Sequence, residues 1–171
     1  MRLAKRGQTR SVGRMGIVRG LVDGYSLLHH WPELAPGQAR HSLHARDALV
    51  AVLTQYQDSS GTPVTLIFDG GGAPPDTPKN ETAKDGIEVL FSKKGQTADQ
   101  IIERVAHLMK PYGEVLAVTN DYAERETVIS LGGSACSCEN FLEMLNDTVG
   151  DMHVGVAQHN KRERKGYRRA D

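Results

Sequence analysis

Cysteine is nearly absent from this chain, and the two it has, Cys136 and Cys138, form a C-x-C pair too close for an ordinary structural bridge. No second Cys/His pair with zinc-site spacing accompanies them, and the 7 histidines form no H-E-x-x-H or paired-ligand pattern. The thiols therefore read as the reduced thiols of a cytoplasmic protein. Aromatic residues are scarce at 5%. No apolar run approaches the roughly 20 residues of a membrane span, so no membrane partner is expected. The basic start is not followed by an apolar segment, which argues against a secretory signal. Nucleotide-binding loops are missing too: the first strand lacks G-x-G-x-x-G, and Gly70-Gly71-Gly72 lacks the G-x-x-x-x-G-K-[ST] spacing. These absences disfavour a Rossmann-like or flavodoxin-like nucleotide binder.

Net charge is absent as well, but the zero hides a partition. Residues 1–14 carry Arg2, Lys5, Arg6, Arg10 and Arg14 with no acid, and residues 158–171 carry six bases against Glu163 and Asp171. The two ends hold 11 of the 21 basic residues and 2 of the 21 acids, which leaves 10 bases against 19 acids in the body. An acidic body with basic arms suits a nucleic-acid enzyme with a metal site; solvated tails without function would give the same count. We read 1–14 and 158–171 as basic tails, the first disordered, around one domain at 15–157. Met15 stands as an alternative start.

Within the body, short apolar runs alternate with helical patterns. Gly16–Val22 is the first strand, with only its second half fully buried because Arg19 and Gly20 interrupt it. Gln38–Gln57 has Leu43, Leu49, Val50, Leu53 and Tyr56 at helical spacing. Pro63–Phe68 is a second strand, Gly70–Asp85 a long loop without a core signature, and Ile87–Phe91 a third strand. Thr97 and Gln100 make a capping box ahead of Ile101, Ile102, Val105, Leu108 and Met109. Pro111 and Gly113 stop that helix. Glu114–Thr119 is the fourth strand, Tyr122–Leu131 a helix, Ser134–Cys136 a weak fifth strand and Cys138–Val149 a last helix capped by Ser137. This alternation predicts an α/β three-layer sandwich with a mostly parallel central sheet.

Asp23, Asp69 and Asp121 each follow a strand, and Asp99 opens the helix after the third. In a parallel sheet all carboxyl ends share one edge, so the four acids should gather there. Carboxylates that close repel unless a cation neutralises them, and oxygen-rich sites of this kind suit Mg²⁺ or Mn²⁺. Each aspartate alone could equally be a helix cap. Lys93 and Lys94 could meet a phosphate or simply be solvated. Tyr25, His29, His30 and Trp31 carry rings near Asp23 that could stack on unpaired bases, although Trp31 reads as packed and His29 as structural. Glu124 could face the metal, but an exposed helical Glu is the ordinary expectation.

The segments LVDGYSLLHHW, VTLIFDGGG, EVLFSKKGQTADQIIERV and AVTNDYAERE resemble, in order and spacing, the NYN domain of the PIN-like nuclease superfamily, in its YacP-like branch. The likeness covers roughly residues 16–150. It implies a PIN-like fold and metal-dependent endoribonuclease activity that leaves a 3′-hydroxyl and a 5′-phosphate. The implied partner is RNA, with messenger and ribosome-associated RNA as the candidate classes. The family's acids map onto Asp23, Asp99 and Asp121, catalytic and metal-binding, with Asp69 as a further metal residue. Ser26, Lys93, Lys94, Thr97 and Asn120 are the candidate substrate contacts. Family members usually carry Asn where this chain has Ser26, and the glycine run after Asp69 is a second departure. The alternative is an RNA-binding module that keeps the fold with weak or lost catalysis.

Overall fold

A computed structural model of the chain describes residues 16–70, 80–82 and 86–149. The expected tails at 1–14 and 158–171 lie outside the described residues, as do 71–79 and 83–85 of the long loop. The five expected strands form where the apolar runs stand: β1 (Ile17–Asp23), β2 (Val64–Phe68), β4 (Glu88–Phe91), β5 (Glu114–Val118) and β6 (Ser134–Cys136). One further strand, β3 (Asn80–Thr82), lies inside the stretch expected to be loop. It pairs antiparallel with β4 through backbone groups, which need no side-chain pattern to announce them.

The sheet order is β3-β4-β2-β1-β5-β6, and every pair except β3–β4 is parallel. The helices are α1 (Gly24–His29), α2 (Leu43–Ser60), α3 (Ala98–Met109), α4 (Tyr122–Ser130) and α5 (138–149). Strand alternation splits the core in two. Val22, Val64, Leu66, Phe68 and Val118 face α1, α2 and α5, where they meet Leu27, Leu49, Leu53, Phe141 and Leu145. Leu21, Ile67, Val115 and Ala117 face the other way, onto Ile101, Ile102 and Ala106 of α3 and Val128 of α4. Each fully buried Leu, Ile, Val or Phe contributes roughly 1.5–3 kcal/mol, so both layers are held by burial.

β1 bears out the reading of its sequence: only Gly20, Leu21 and Val22 are buried, and the Arg19 guanidinium donates to Thr65 Oγ1 at 3.0 Å. Two apolar positions expected to face inward do not. Leu43 is 64% exposed and Leu108 61% exposed. α2 begins only at Leu43, capped by Ser42, so Leu43 falls in an open first turn rather than on the buried stripe. Leu108 lies in the last turn of α3, whose packing on the sheet is made by Ile101, Ile102 and Ala106.

Counting only the parallel strands, the chain fills β1, β2, β4 on one side and then crosses back through α3 to β5 on the other side of β1. That reversal leaves a crevice at the carboxyl ends of β1 and β5, the place where open α/β sheets bind ligands.

Candidate active site

Asp23 is the last residue of β1 and the N-cap of α1, where its Oδ1 accepts the Ser26 N–H at 3.3 Å. The cap uses one oxygen and leaves the other for a ligand. Gly24 follows because a Cβ there would lie 2.3 Å from the Phe68 ring. Asp69 leaves β2 and accepts from the Ser92 hydroxyl at 3.3 Å; Ser92 Oγ in turn accepts the Gly70 N–H at 2.8 Å. Thr97 and Gln100 form the expected capping box, with bonds of 3.1 and 3.2 Å, and Asp99 stands in the first turn of α3. Asp121 caps α4 by accepting the Glu124 N–H at 3.2 Å.

A cavity of about 560 Å³ opens at this edge. Asp23, Ser26, Asp69, Thr97 and Asp99 line it together with Tyr25 and His41. Asp121 lies outside that lining and is exposed, but its charge acts on both Asp23 and Asp99. Burial pushes the Asp23 carboxyl up to about 6; the Ser26 N–H opposes this, and Asp99, Asp69 and Asp121 add to it. Asp99 is also raised, by burial first and then by Asp121, Glu103 and Asp69. Lys93 and Lys94 are exposed on the β4–α3 loop and do not line the cavity.

Asn120 serves the frame of the site. Its Oδ1 accepts the Cys138 N–H at 2.7 Å, and its Nδ2 donates to His30 Nε2 at 2.8 Å and Glu139 Oε1 at 3.1 Å. Its backbone N–H reaches Ser26 Oγ at 3.4 Å, and that hydroxyl also touches Cys138 Sγ at 3.5 Å. Ser26 thus lines the cavity while its hydroxyl is engaged inside the fold. His30 is fixed as well, since its Nδ1–H donates to the Ser26 carbonyl at 2.9 Å. Trp31 is half-buried against the core as expected, whereas His29 is exposed and meets Arg40 rather than the interior.

The largest departure from expectation is Glu124, which is 4% exposed rather than solvated. Burial, a hydrogen bond with Glu103 and the charges of Asp99, Glu103 and Asp121 push its carboxyl up to about 8. Its Oε1 has no hydrogen-bond partner. Glu124 belongs to the same acidic cluster, and only its place three residues after the Asp121 cap hinted at this in the sequence.

Crowded acids and an orphaned buried carboxyl oxygen are the chemistry of a cation site. Among the described residues, however, no three His, Cys, Asp or Glu side chains are close enough to hold one ion between them. Such a donor set could take only an ion that keeps most of its waters and binds one or two carboxylates directly, as Mg²⁺ does.

The family model of the YacP-like NYN domain matches residues 21–170. The chain belongs to the YacP-like NYN domain family. The match to this family runs past α5 and takes in the basic C-terminal stretch. YacP of Bacillus subtilis (strain 168) is 30% identical over 123 residues, which cover 71% of each chain. The crystal structure of Rae1 (YacP) from Bacillus subtilis superposes with a TM-score of 0.67 at 27% identity, covering 86% of this chain and 84% of that one. The crystal structure of a mutant of that same protein gives 0.65 at 26% identity, covering 83% and 82%. The YacP-like domain is an NYN domain of the PIN-like nuclease superfamily, which carries a nuclease or RNA-related role. No helix among the described residues is long and apolar enough to cross a membrane.

Proposed function

We propose that this YacP-like domain is a divalent-metal-dependent endoribonuclease. One observation carries the reading: Asp23, Asp69 and Asp99 line a single cavity at the carboxyl edge of a parallel sheet, within the field of Asp121. Asp23 and Asp99 would hold the ion, and Asp69 and Asp121 would accept hydrogen bonds from its waters. A bound Mg²⁺ or Mn²⁺ supplies Lewis-acid stabilisation of the phosphate and a water acidified enough to attack near neutral pH. The residues of the chain orient the rest. Water adds at phosphorus, the bond to the 3′-oxygen breaks, and the products are a 3′-hydroxyl and a 5′-phosphate. The Thr97–Gln100 capping box fixes the first turn of α3, on which Asp99 stands, while Ser26 and Asn120 fix the Asp23 and Asp121 loops relative to each other. Lys93 and Lys94 stand on the loop at the same edge, where they can meet the backbone of a bound strand.

The second reading is an RNA-binding domain with weak or lost catalysis. It is favoured by the absence, among the described residues, of three acids within reach of one ion. Incubating the protein with several end-labelled RNAs in Mg²⁺, Mn²⁺ or EDTA separates the two. Cleavage that needs metal and disappears in Asp99→Asn supports the enzyme. Binding without cleavage in every metal supports the second reading.

A further inference from the structure

The cavity at the acidic edge has a wall that the carboxylates do not explain. Besides Asp23, Asp69 and Asp99 it is lined by Tyr25 and His41. These two rings are the outer end of a ladder. His41 lies 4.4 Å from Tyr25, Tyr25 lies 4.9 Å from Phe68, and Phe68 stacks on Phe91 at 5.5 Å. The Arg46 guanidinium, itself 6% exposed, lies 5.7 Å from the centre of the Phe91 ring. Burial falls along the series: Phe68 is 1% exposed, Tyr25 is half-buried and His41 is exposed. Neighbouring rings at 4.4–5.5 Å support one another as aromatic pairs do in cores. The ladder therefore holds His41 from beneath and ends in open space inside the cavity.

We infer that His41, backed by Tyr25, is the platform on which an unpaired RNA base stacks beside the phosphodiester held at the acids. This inference rests on the endoribonuclease reading and adds the form of substrate: single-stranded RNA. In a duplex both faces of a base are covered by its neighbours, so a ring at the end of a ladder can take only a base that has left the stack. The cavity is large enough, since ligand sites span roughly 300–1,000 Å³. Every base has a stacking face, so the platform selects for strandedness and not for sequence. Sequence reading missed His41 because it lies in the loop before α2, 18 residues after Asp23 and outside any motif.

The test is fluorescence anisotropy in EDTA with the full chain carrying Asp121→Asn, a substitution outside the cavity lining that should slow any residual turnover. A single-stranded RNA and a duplex of the same sequence are titrated with and without His41→Ala, His41→Phe or Tyr25→Phe. Removing one stacked base should weaken single-strand binding roughly tenfold in His41→Ala and leave duplex binding unchanged. His41→Phe should restore the affinity because it restores a ring. Tyr25→Phe should bind like the background, since it keeps the ring that backs His41. The inference is overturned if His41→Ala leaves single-strand affinity intact, or lowers single-strand and duplex affinity alike. In either case an unsubstituted chain that still cleaves RNA keeps the nuclease reading. A chain that neither binds nor cleaves any RNA overturns both. His41 is exposed, and matched melting temperatures of the variants exclude misfolding as the cause.

Discussion

Asn120 Oδ1 accepts the Cys138 N–H at 2.7 Å, which ties the turn after β5 to the first residue of α5. The same side chain reaches His30 Nε2 and Glu139, so one amide joins the end of α1, the turn after β5 and the start of α5. Asp23 and Asp121 leave neighbouring strands on separate loops, and Asn120 with its partners Ser26 and His30 ties those two loops together.

Asn120→Ala should therefore cost more than a surface substitution. It leaves the Cys138 N–H without its acceptor at a buried residue, a loss of about 2–3 kcal/mol with the partners counted. Urea unfolding measures this. Cleavage should fall as well, because Asp121 is the next residue. A stability change below about 0.5 kcal/mol would mean that the amide does not hold the edge together.

Asp99→Asn and Asp121→Asn remove a charge and nearly keep shape. Asn caps helices as well as Asp, so Asp121→Asn should keep the cap of α4. Cleavage should drop roughly 10²–10³-fold, the size expected for one charge-stabilising group. The melting temperature in EDTA should hold or rise, because repulsion within the cluster is relieved. Rates equal to the parent in both variants would return these aspartates to the role of helix caps.

The pH dependence of the metal-free protein should run against ordinary acid denaturation. Asp23 goes from an ordinary 3.8 to about 6 on folding, and Glu124 from 4.5 to about 8. Between those values the folded chain binds more protons than the unfolded one, so stability falls as pH rises. In EDTA the melting temperature should climb as pH is lowered from about 8 toward 5. Saturating Mn²⁺ should flatten the climb, because the ion neutralises the acids that the protons otherwise neutralise. A metal-free profile that falls on acidification over this range would contradict the crowding of the cluster.

Glu124→Gln copies the protonated acid and cannot ionise. At about pH 6 parent and variant should melt together, whereas at about pH 9 in EDTA the variant should be the more stable, since only the parent then carries a buried anion. If the variant is instead less stable at the higher pH in EDTA, the ionised carboxylate is compensated by a positive group of the protein, and the crowding of Glu124 with the other acids does not set its charge.

The basic ends should supply affinity without choosing sequence. Deleting 1–14 and 158–171 removes 11 bases and should weaken RNA binding with a shallower salt dependence. The log–log slope should shrink by roughly 0.7 for each phosphate of a single strand that the ends no longer neutralise. An unchanged slope in anisotropy titrations over a salt series would make both ends bystanders in binding.

Local chemistry was enough to place Asp23, Asp69, Asp99 and Asp121 at one edge. Strand-type apolar runs, the Thr97–Gln100 capping box that precedes Asp99 and the Asp that follows three of those runs are all written in near neighbours, and parallel topology then leaves the acids no other edge. The burial of Glu124 was not legible in this way. Its neighbours in sequence are Ala123, Arg125 and Glu126, and only the packing of α4 against α3 sets it beside Glu103 and Asp99. The same holds for His41, which gains its role from Tyr25, Phe68 and Phe91 on three other elements, and for Asn120, whose partners lie 18, 19 and 90 residues away. Sequence determines what short-range hydrogen bonds and periodic burial can encode. Contacts between elements distant in the chain arise only when the sheet brings their ends together, and those contacts decide which polar groups are sealed from water.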